Sequence, residues 1–470
     1  MKNSHRDVVV IGAGLAGLVC AYRLKSLGLD VAVLENSGRV GGVIQSERID
    51  GYLIERGPNS SQGTEELMAI VEELGIMEHV AEGDPKAPAY VFFNRQLHAV
   101  PAGPGAFIKS KLLSARGKLR ILAEPAVPVR RSDKEESVAS FARRRIGSEA
   151  AERMVKPFVS GIYAGDAERL SVQAAFPRLA NLESRYGGLI RGTMAKAREA
   201  RQARKSAAAV LDKAAPTRRR LVSFQGGMSF LTDTLAARIG EDLVTGTSDL
   251  RFEISDSREE FRVVFDHSGS NQRVAARQVV VAAPSFAAAK LVAPVSNELS
   301  GLLEAIEYPP LAILYLSYDK SAIKNPLIGF GFLAAPSEGL NILGCVWNTS
   351  LFKDRAPEGR ALMTVFIGGA RNPEAARLGD AELASVAHGE LRSILGISGE
   401  PRVVAITRWE RAIPQYNLGH RARVERIERL LEQMPGLSLI GNYLHGVSTG
   451  DVIKEADRAA RSVAEKLNRA

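Results

Sequence analysis

The chain is 470 residues long, more than one hydrophobic core ordinarily serves, so two or three lobes are expected. Hydrophobic residues at 45% and charged residues at 24% are ordinary for a globular protein, and two cysteines, Cys20 and Cys345, exclude a disulfide framework. A formal net charge of +9 favours anionic partners such as carboxylate substrates, phosphates, an acidic membrane surface or nucleic acid, without choosing among them.

Lys2, His5 and Arg6 precede the apolar stretch Val8 to Ala21, which superficially resembles a secretion signal. The glycines inside it fit a nucleotide-binding turn better. Val8 to Ile11 is a continuous apolar run of the kind a buried parallel strand shows. Leu15 to Leu27 carries a helical pattern, with Cys20 read as core, and Gly28 ends it. Val31 to Leu34 is a second strand, completing a βαβ unit. Gln278 to Ala282, stopped by Pro284, and Leu437 to Ile440, just before the last helix, read as returns to the same sheet.

Between these pieces, Gly103 to Ala175 is rich in helix formers, with Lys and Arg interleaved among Phe107, Ile108, Leu112, Leu113, Leu119, Ile121 and Leu122. The basic, Ala-rich stretch Ala195 to Arg220, ending Arg218-Arg219-Arg220, reads either as a solvated helix or loop or as an anionic membrane contact. Residues 300–410 alternate short strands with turns, a mixed β lobe. No apolar run approaches the ~20 residues of a membrane-spanning helix. The expected setting is the cytoplasm, soluble or peripheral on the inner face of the cell membrane. The seven histidines show no ligand spacing, so no metal is expected.

Gly12-Ala13-Gly14-Leu15-Ala16-Gly17 lies between predicted strand and helix. Gly12 permits the tight turn, Gly14 lets backbone approach a pyrophosphate, and Gly17 lets helix pack on strand. Free N–H groups at the helix start favour phosphate. Glu35 ends the second strand 18 residues after Gly17, where a carboxylate can accept from the adenosine ribose.

Arg39-x-Gly41-Gly42, following Glu35-Asn36, resembles the extension found in the amine-oxidase-like flavoprotein superfamily, which implies FAD as cofactor. There the arginine and glycines run along the flavin's phosphates and ribityl chain. Gly441-Asn442, then Gly446-Val447-Ser448 and Asp451 opening a helix, resembles the superfamily's second flavin motif. Trp409 is placed as an aromatic beside the cofactor in these proteins, though a core tryptophan is an equal reading.

Four further stretches resemble the porphyrinogen oxidases of haem synthesis. They are Gly57-Pro58-Asn59-Ser60, Ser160-Gly161-Ile162-Tyr163-Ala164-Gly165-Asp166 with Phe176-Pro177 behind it, Gly329-Phe330-Gly331-Phe332-Leu333, and Ile413-Pro414-Gln415-Tyr416-Asn417. The resemblance runs from about Asp7 to Leu467 and implies an α/β and α+β fold in three parts. These are a discontinuous Rossmann-like FAD-binding domain (1–84, 222–296, 434–470), a mixed-sheet substrate domain (85–103, 176–221, 297–433) and a small helical domain (104–175) that docks on membrane.

The implied substrate is a tetrapyrrole held between apolar walls. Phe330, Leu333 and Phe366 would supply the walls, with Gly331 beside them, and Gly161 to Gly165 the cavity backbone. His98 occupies the position where protoporphyrinogen-type enzymes place a propionate-binding arginine, and a histidine there resembles the branch acting on coproporphyrinogen. Position 249, where valine is common beside adenine, is Asp249; that contact is main-chain.

The implied reaction is six-electron oxidation of protoporphyrinogen IX to protoporphyrin IX, or of coproporphyrinogen III to coproporphyrin III. Flavin N5 accepts hydride and no side-chain base is assigned. No second glycine triplet offers a site for NADPH, so the expected acceptor is molecular oxygen, with a quinone-like acceptor as the alternative. A peripheral anionic membrane contact and a homodimer are the other expected partnerships; nucleic acid is not expected. An amine oxidase of the same superfamily is the leading alternative, a carotenoid desaturase another, and a non-enzymatic basic flavoprotein a third.

Overall fold

The computed structural model describes residues 4–132, 134–208, 220–254 and 260–469; the Arg218-Arg219 pair of the basic stretch lies outside them. Two compact units result. The first is built from Met1–Gly83, Arg219–Glu307 and Ala422–Ala470, the second from Asp84–Arg218 and Tyr308–Arg421.

The first unit holds the βαβ unit: β1 (Ser4–Ile11), α1 (Leu15–Ser26) and β2 (Val31–Leu34). Two later strands join it, β3 (Ser270–Val281) and β4 (Leu437–Leu439), and the last helix α2 (Thr449–Arg469) packs against α1. β1 pairs in parallel with β2 and β3, and β3 with β4. Val8, Val9 and Val10 are fully buried, because a parallel sheet is covered on both faces. Cys20 sits in the same core, where burial raises its thiol to about 12, and so does Leu24. α1 ends one residue before the expected Leu27, and Gly28, at φ +84°, makes the left-handed exit.

β3 is longer than the sequence pattern suggested. Ser270 to Ala276 forms an antiparallel hairpin with Phe261–His267, and from Val274 to Val281 the strand runs parallel beside β1. The register lines up four strand ends in one row: Ile11 opposite Leu34 and Val281, and Val281 opposite Leu439. Four loops therefore leave the carboxyl edge of the sheet side by side, the place where open α/β sheets hold ligands.

The second unit is built on a seven-stranded sheet in the order Arg402–Trp409, Leu311–Asp319, Arg360–Gly368, Ile342–Trp347, Gly331–Ala334, Ala89–Phe93, Gln96–Ala99. Side chains alternate across it. Ala312, Leu314, Leu316, Val365 and Ile367 share a core with Leu383, Ala387, Leu391 and Leu395 of the helix Asp380–Leu395. On the other face Val91 packs with Leu112 and Met154 of the helix-rich segment. That segment is stitched to the rest of the unit by backbone bonds: Ser171 N–H to Tyr416 O at 2.8 Å and Ala370 N–H to Ala164 O at 2.7 Å.

Within the helical segment Glu124 and Arg145 form an ion pair, both side chains fully buried. Glu124 also accepts the Leu189 and Ile190 amides at 2.8 and 3.0 Å, and Arg145 donates to Val127 O at 3.0 Å. The pair thereby starts the long helix Leu189–Ala208. Among the described residues no helix is long and apolar enough to cross a membrane.

Candidate cofactor and substrate sites

At the carboxyl edge of the first sheet the glycines divide the work expected of them. Gly12 takes φ +108°, and a Cβ there would stand 3.0 Å from Ala282 O. At Gly17 a Cβ would stand 1.9 Å from Gly12 O, so α1 rests directly on the end of β1. Gly14 is different: a Cβ would meet only Gly42 Cα, at 3.9 Å. α1 begins with no side-chain cap, and its first turn carries no acid. A helix start of that kind can take an anion.

Gly41 closes the cradle by donating to Ala13 O at 2.8 Å, and Gly42, at φ +60°, brings its Cα against Gly14. Glu35 braces both sides. One carboxylate oxygen accepts the Ala13 N–H at 2.7 Å, the other Ser37 N–H and Oγ at 2.8 Å. A carboxylate has about four acceptor directions, so acceptor capacity remains after these three bonds.

Asn36 and Arg39 are exposed beside this loop. Arg39 donates to Val40 O and Gly42 O at 3.1 and 2.8 Å, clamping its own turn. The segment before Asp249 straps across the same place, Thr247 N–H to Glu35 O at 3.0 Å and Gly246 N–H to Ser37 O at 2.8 Å. Asp249 itself is exposed, at φ +48°, a conformation Asp tolerates where valine would be strained.

Gly57 is wedged so that a Cβ would stand 2.0 Å from Val43 O, which fixes the half-buried Pro58-Asn59-Ser60 loop behind Gly42. Beneath it lies a brace that sequence reasoning missed. Glu55, buried, accepts Ser46 Oγ at 2.6 Å and Met228 N–H at 3.0 Å. A carboxylate at the end of an apolar strand was the available signal.

The loop after β4 carries Gly441, Val447 and Ser448 to the same edge. Ser448 Oγ lies 2.5 Å from Asp451 Oδ2 and accepts the Asp451 N–H at 3.2 Å, a reciprocal cap that starts α2. Asp451 and Ser448 thus set the helix start.

In the second unit the register gathers the expected substrate residues. His98 lies opposite Val91, Val91 opposite Leu333, Leu333 opposite Gly344, Gly344 opposite Phe366, Phe366 opposite Ile313, and Ile313 opposite Thr407. Residues in one row share a face, and Trp409, two residues beyond Thr407, shares it too. Leu333 and Phe366 are half-buried. Gly161, on the helix Lys156–Tyr163, lies where a Cβ would meet Leu333 Cδ2 at 2.4 Å.

Gly331 takes φ +132° with Cys345 O where its Cβ would be, and the half-buried Phe330 precedes it. Gly165 lines a surface hollow of about 160 Å³ with Lys156, Asp166 and Arg371. Gln415 is a strut that sequence reasoning also missed: its side-chain amide donates to Tyr163 O at 2.8 Å, holding the end of the helix that carries Gly161. His98 Nε2 lies 3.0 Å from Phe93 O, so its ring is tied into its own hairpin.

A glycine cradle at an uncapped helix start, an acid braced beside it and a strand-end loop from the far terminus define a dinucleotide-binding oxidoreductase of the flavoprotein kind. Residues 15–464 match the family described as flavin containing amine oxidoreductase. Over 481 residues the chain is 34% identical to the chloroplastic protoporphyrinogen oxidase of Oryza sativa subsp. japonica, covering 98% of this chain and 89% of that one. It is 29% identical to the coproporphyrinogen III oxidase of Bacillus subtilis (strain 168), covering 98% of each. A solved protein from Exiguobacterium sp. 255-15, provisionally described as a protoporphyrinogen oxidase, has the same fold, with a TM-score of 0.80, 24% identity and 99% coverage of both chains. The chain belongs to the flavin-containing amine oxidoreductase family, and FAD is its cofactor.

Proposed function

We propose that the chain oxidises a porphyrinogen to its porphyrin, with protoporphyrinogen IX as first substrate and coproporphyrinogen III as second. The observation that carries this reading is the single row of His98, Leu333 and Phe366 on one sheet face. It stands in a chain similar over its whole length to enzymes named for those substrates. Bound flavin supplies the two-electron acceptor, used three times per porphyrin formed, with molecular oxygen taking the electrons to give peroxide.

The protein's own part is positioning. Backbone at Gly12 to Gly17, with Gly41 and Gly42, takes the pyrophosphate, Glu35 the ribose, and backbone at Asp249 the adenine edge. Arg39 and the Pro58 to Ser60 loop line the cofactor's middle, and Gly441, Val447 and Ser448 its ring end. Leu333, Phe366 and Phe330 give the tetrapyrrole a dry wall, Gly161 and Gly165 let it lie close to backbone, and His98 stands at the rim where a propionate would lie. Aromatisation drives each cycle, so orientation suffices and no strong base is demanded.

We assign the FAD-binding role to 1–84, 222–296 and 434–470, the substrate role to the sheet of the second unit, and membrane docking to 104–175. In that last segment Ile108, Leu119, Leu122 and Phe158 are exposed among Lys109, Lys111, Arg116 and Lys118. Apolar side chains ringed by cations suit an anionic bilayer surface. A cytoplasmic enzyme resting on the inner membrane face, as a monomer or homodimer, fits this arrangement.

The test is porphyrin fluorescence in air, with each porphyrinogen supplied separately to purified protein. Acceleration over the air-oxidation blank is expected, fastest with protoporphyrinogen IX. A flavin-loaded protein that accelerates neither, yet releases peroxide from amines, is an amine oxidase instead.

A further inference from the structure

His98 stands at the rim, yet its ring has little to offer an anion. Nε2 lies 3.0 Å from Phe93 O, a carbonyl oxygen that only accepts, so Nε2 carries the proton. In the neutral imidazole Nδ1 is then an acceptor, whereas a carboxylate needs a donor. A second group stands beside the same phenylalanine. The guanidinium carbon of Arg153 lies 4.3 Å from the centre of the Phe93 ring, and the His98 ring centre lies 6.3 Å from it.

Arg153 belongs to Ala151–Val155, a π-helical turn that leads straight into Lys156–Tyr163, the helix carrying Gly161. Turns of this width are rare and recur at functional sites. Met154, next along, packs against the cluster of Val91, Leu112 and Ala335 that Phe93 also joins. The turn is thereby pinned to the sheet face that carries Leu333, which lies opposite Val91.

Three contacts fix the Arg153 side chain. It stacks on Phe93, and the two hydrogens of Nη1 go to Leu112 O at 3.0 Å and to Glu149 Oε1. Glu149 is occupied in turn, accepting the Ser114 N–H and Oγ at 2.6 Å each. Nε and Nη2 of Arg153 keep three N–H donors with no partner among the described residues, and the side chain is 27% exposed. Those two atoms form an edge that meets a carboxylate through two parallel bonds. Held on its other sides, the guanidinium loses little freedom when an anion arrives.

We infer that Arg153 is a specificity-determining residue of the tetrapyrrole site: its Nε–Nη2 edge binds a propionate that the tied ring of His98 cannot hold, and so selects substrates by their acid side chains. The inference rests on the reading of the chain as a porphyrinogen oxidase.

The experiment follows porphyrin formation in air, with each porphyrinogen supplied as the free acid and as its methyl ester in the same detergent. In Arg153→Gln the KM of the acid should rise at least about tenfold, the worth of a bond to a charged group, with kcat nearly unchanged. The KM of the ester should not rise with it. Arg153→Lys keeps the charge without the fork, so its KM for the acid should fall between the two.

Arg153→Gln with the wild-type KM for the acid would overturn the inference. So would a rise in KM shared equally by the ester, which marks lost packing over Phe93 and not a lost carboxylate bond. If Arg153→Gln fails to fold, Arg153→Lys decides on the same two readings: a raised KM for the acid alone supports the role, and any other pattern refutes it. Wild-type protein that accelerates oxidation of neither form refutes the porphyrinogen reading and the inference with it. Wild type that oxidises both, with variants that match it, refutes the role of Arg153 alone.

Discussion

Two glycines three residues apart should fail in opposite ways when given a methyl group. At Gly17 the new Cβ would stand 1.9 Å from Gly12 O, and backbone cannot swing aside. α1 must lift by about 1 Å from a core packed like a crystal, which costs about 1–3 kcal/mol or more. At Gly14 the nearest obstacle is Gly42 Cα at 3.9 Å, and φ −72°, ψ 175° suits any residue. Gly14→Ala should leave stability within about 0.5 kcal/mol, the usual range for an unstrained surface change.

Its methyl instead occupies the space in which a pyrophosphate meets the helix amides. Losing two hydrogen bonds to a charged group at about 1.5 kcal/mol each weakens FAD roughly a hundredfold. Urea denaturation of the stripped proteins reads the first quantity, and FAD titration followed by flavin fluorescence the second. The reasoning is refuted if Gly14→Ala binds FAD as tightly as wild type, or if it unfolds as readily as Gly17→Ala.

Gly161→Val drives a side chain into Leu333, against which even a bare Cβ would sit at 2.4 Å, so porphyrin formation should fall at least about tenfold while flavin content is unchanged. Equal loss of flavin would show that the row of wall residues is not separable from the cofactor site. Glu124→Gln leaves the buried Arg145 with only Glu183, 3.6 Å away and shared with Arg144, as counter-charge, and a loss of about 3 kcal/mol in urea denaturation is expected. A loss below about 1 kcal/mol would mean that water reaches the pair. Glu455 has a folded pKa raised above its unfolded value, so the proton it holds favours the folded state at low pH, and that stability is lost as pH rises from about 4.5 through about 8. At roughly 1.4 kcal/mol for each tenfold change in proton affinity, Glu455→Gln should become more stable than wild type by a few kcal/mol over that window and level off above it. A constant difference in melting temperature from pH 4 to 9 would contradict this.

Much of the first unit could be read along the chain because its signals are local. Val8 to Ile11 needs burial on both faces, Gly17 needs contact with a residue five positions back, and Glu35 answers to a loop 22 residues away. The returns of β3 and β4 were legible as apolar runs stopped by Pro284 or followed by a helix. What could not be read was where a side chain finds its partner across long separations. Glu55 joins Met228 over 173 residues, and Gln415 joins Tyr163 over 252. That Arg39 clamps its own turn by donating to Val40 O and Gly42 O is a choice among rotamers that spacing does not encode. The row from His98 to Phe366 rests on strand register, which depends on how far apart pieces of chain pair rather than on any one piece.

The parallel core of the first unit takes its strands from both extremes of the chain, Ser4–Ile11 and Leu437–Leu439, with β3 between them. During synthesis the first βαβ turn emerges early and must wait for β3 and β4, with apolar edges unpaired and open to wrong partners. Contacts of such sequence separation close slowly. The cradle for the pyrophosphate is built from the first forty-two residues, but the backbone of Gly441 arrives only with the final stretch. If flavin meets both, as proposed, a chain cut short of β4 keeps the cradle but lacks the loop that completes the site.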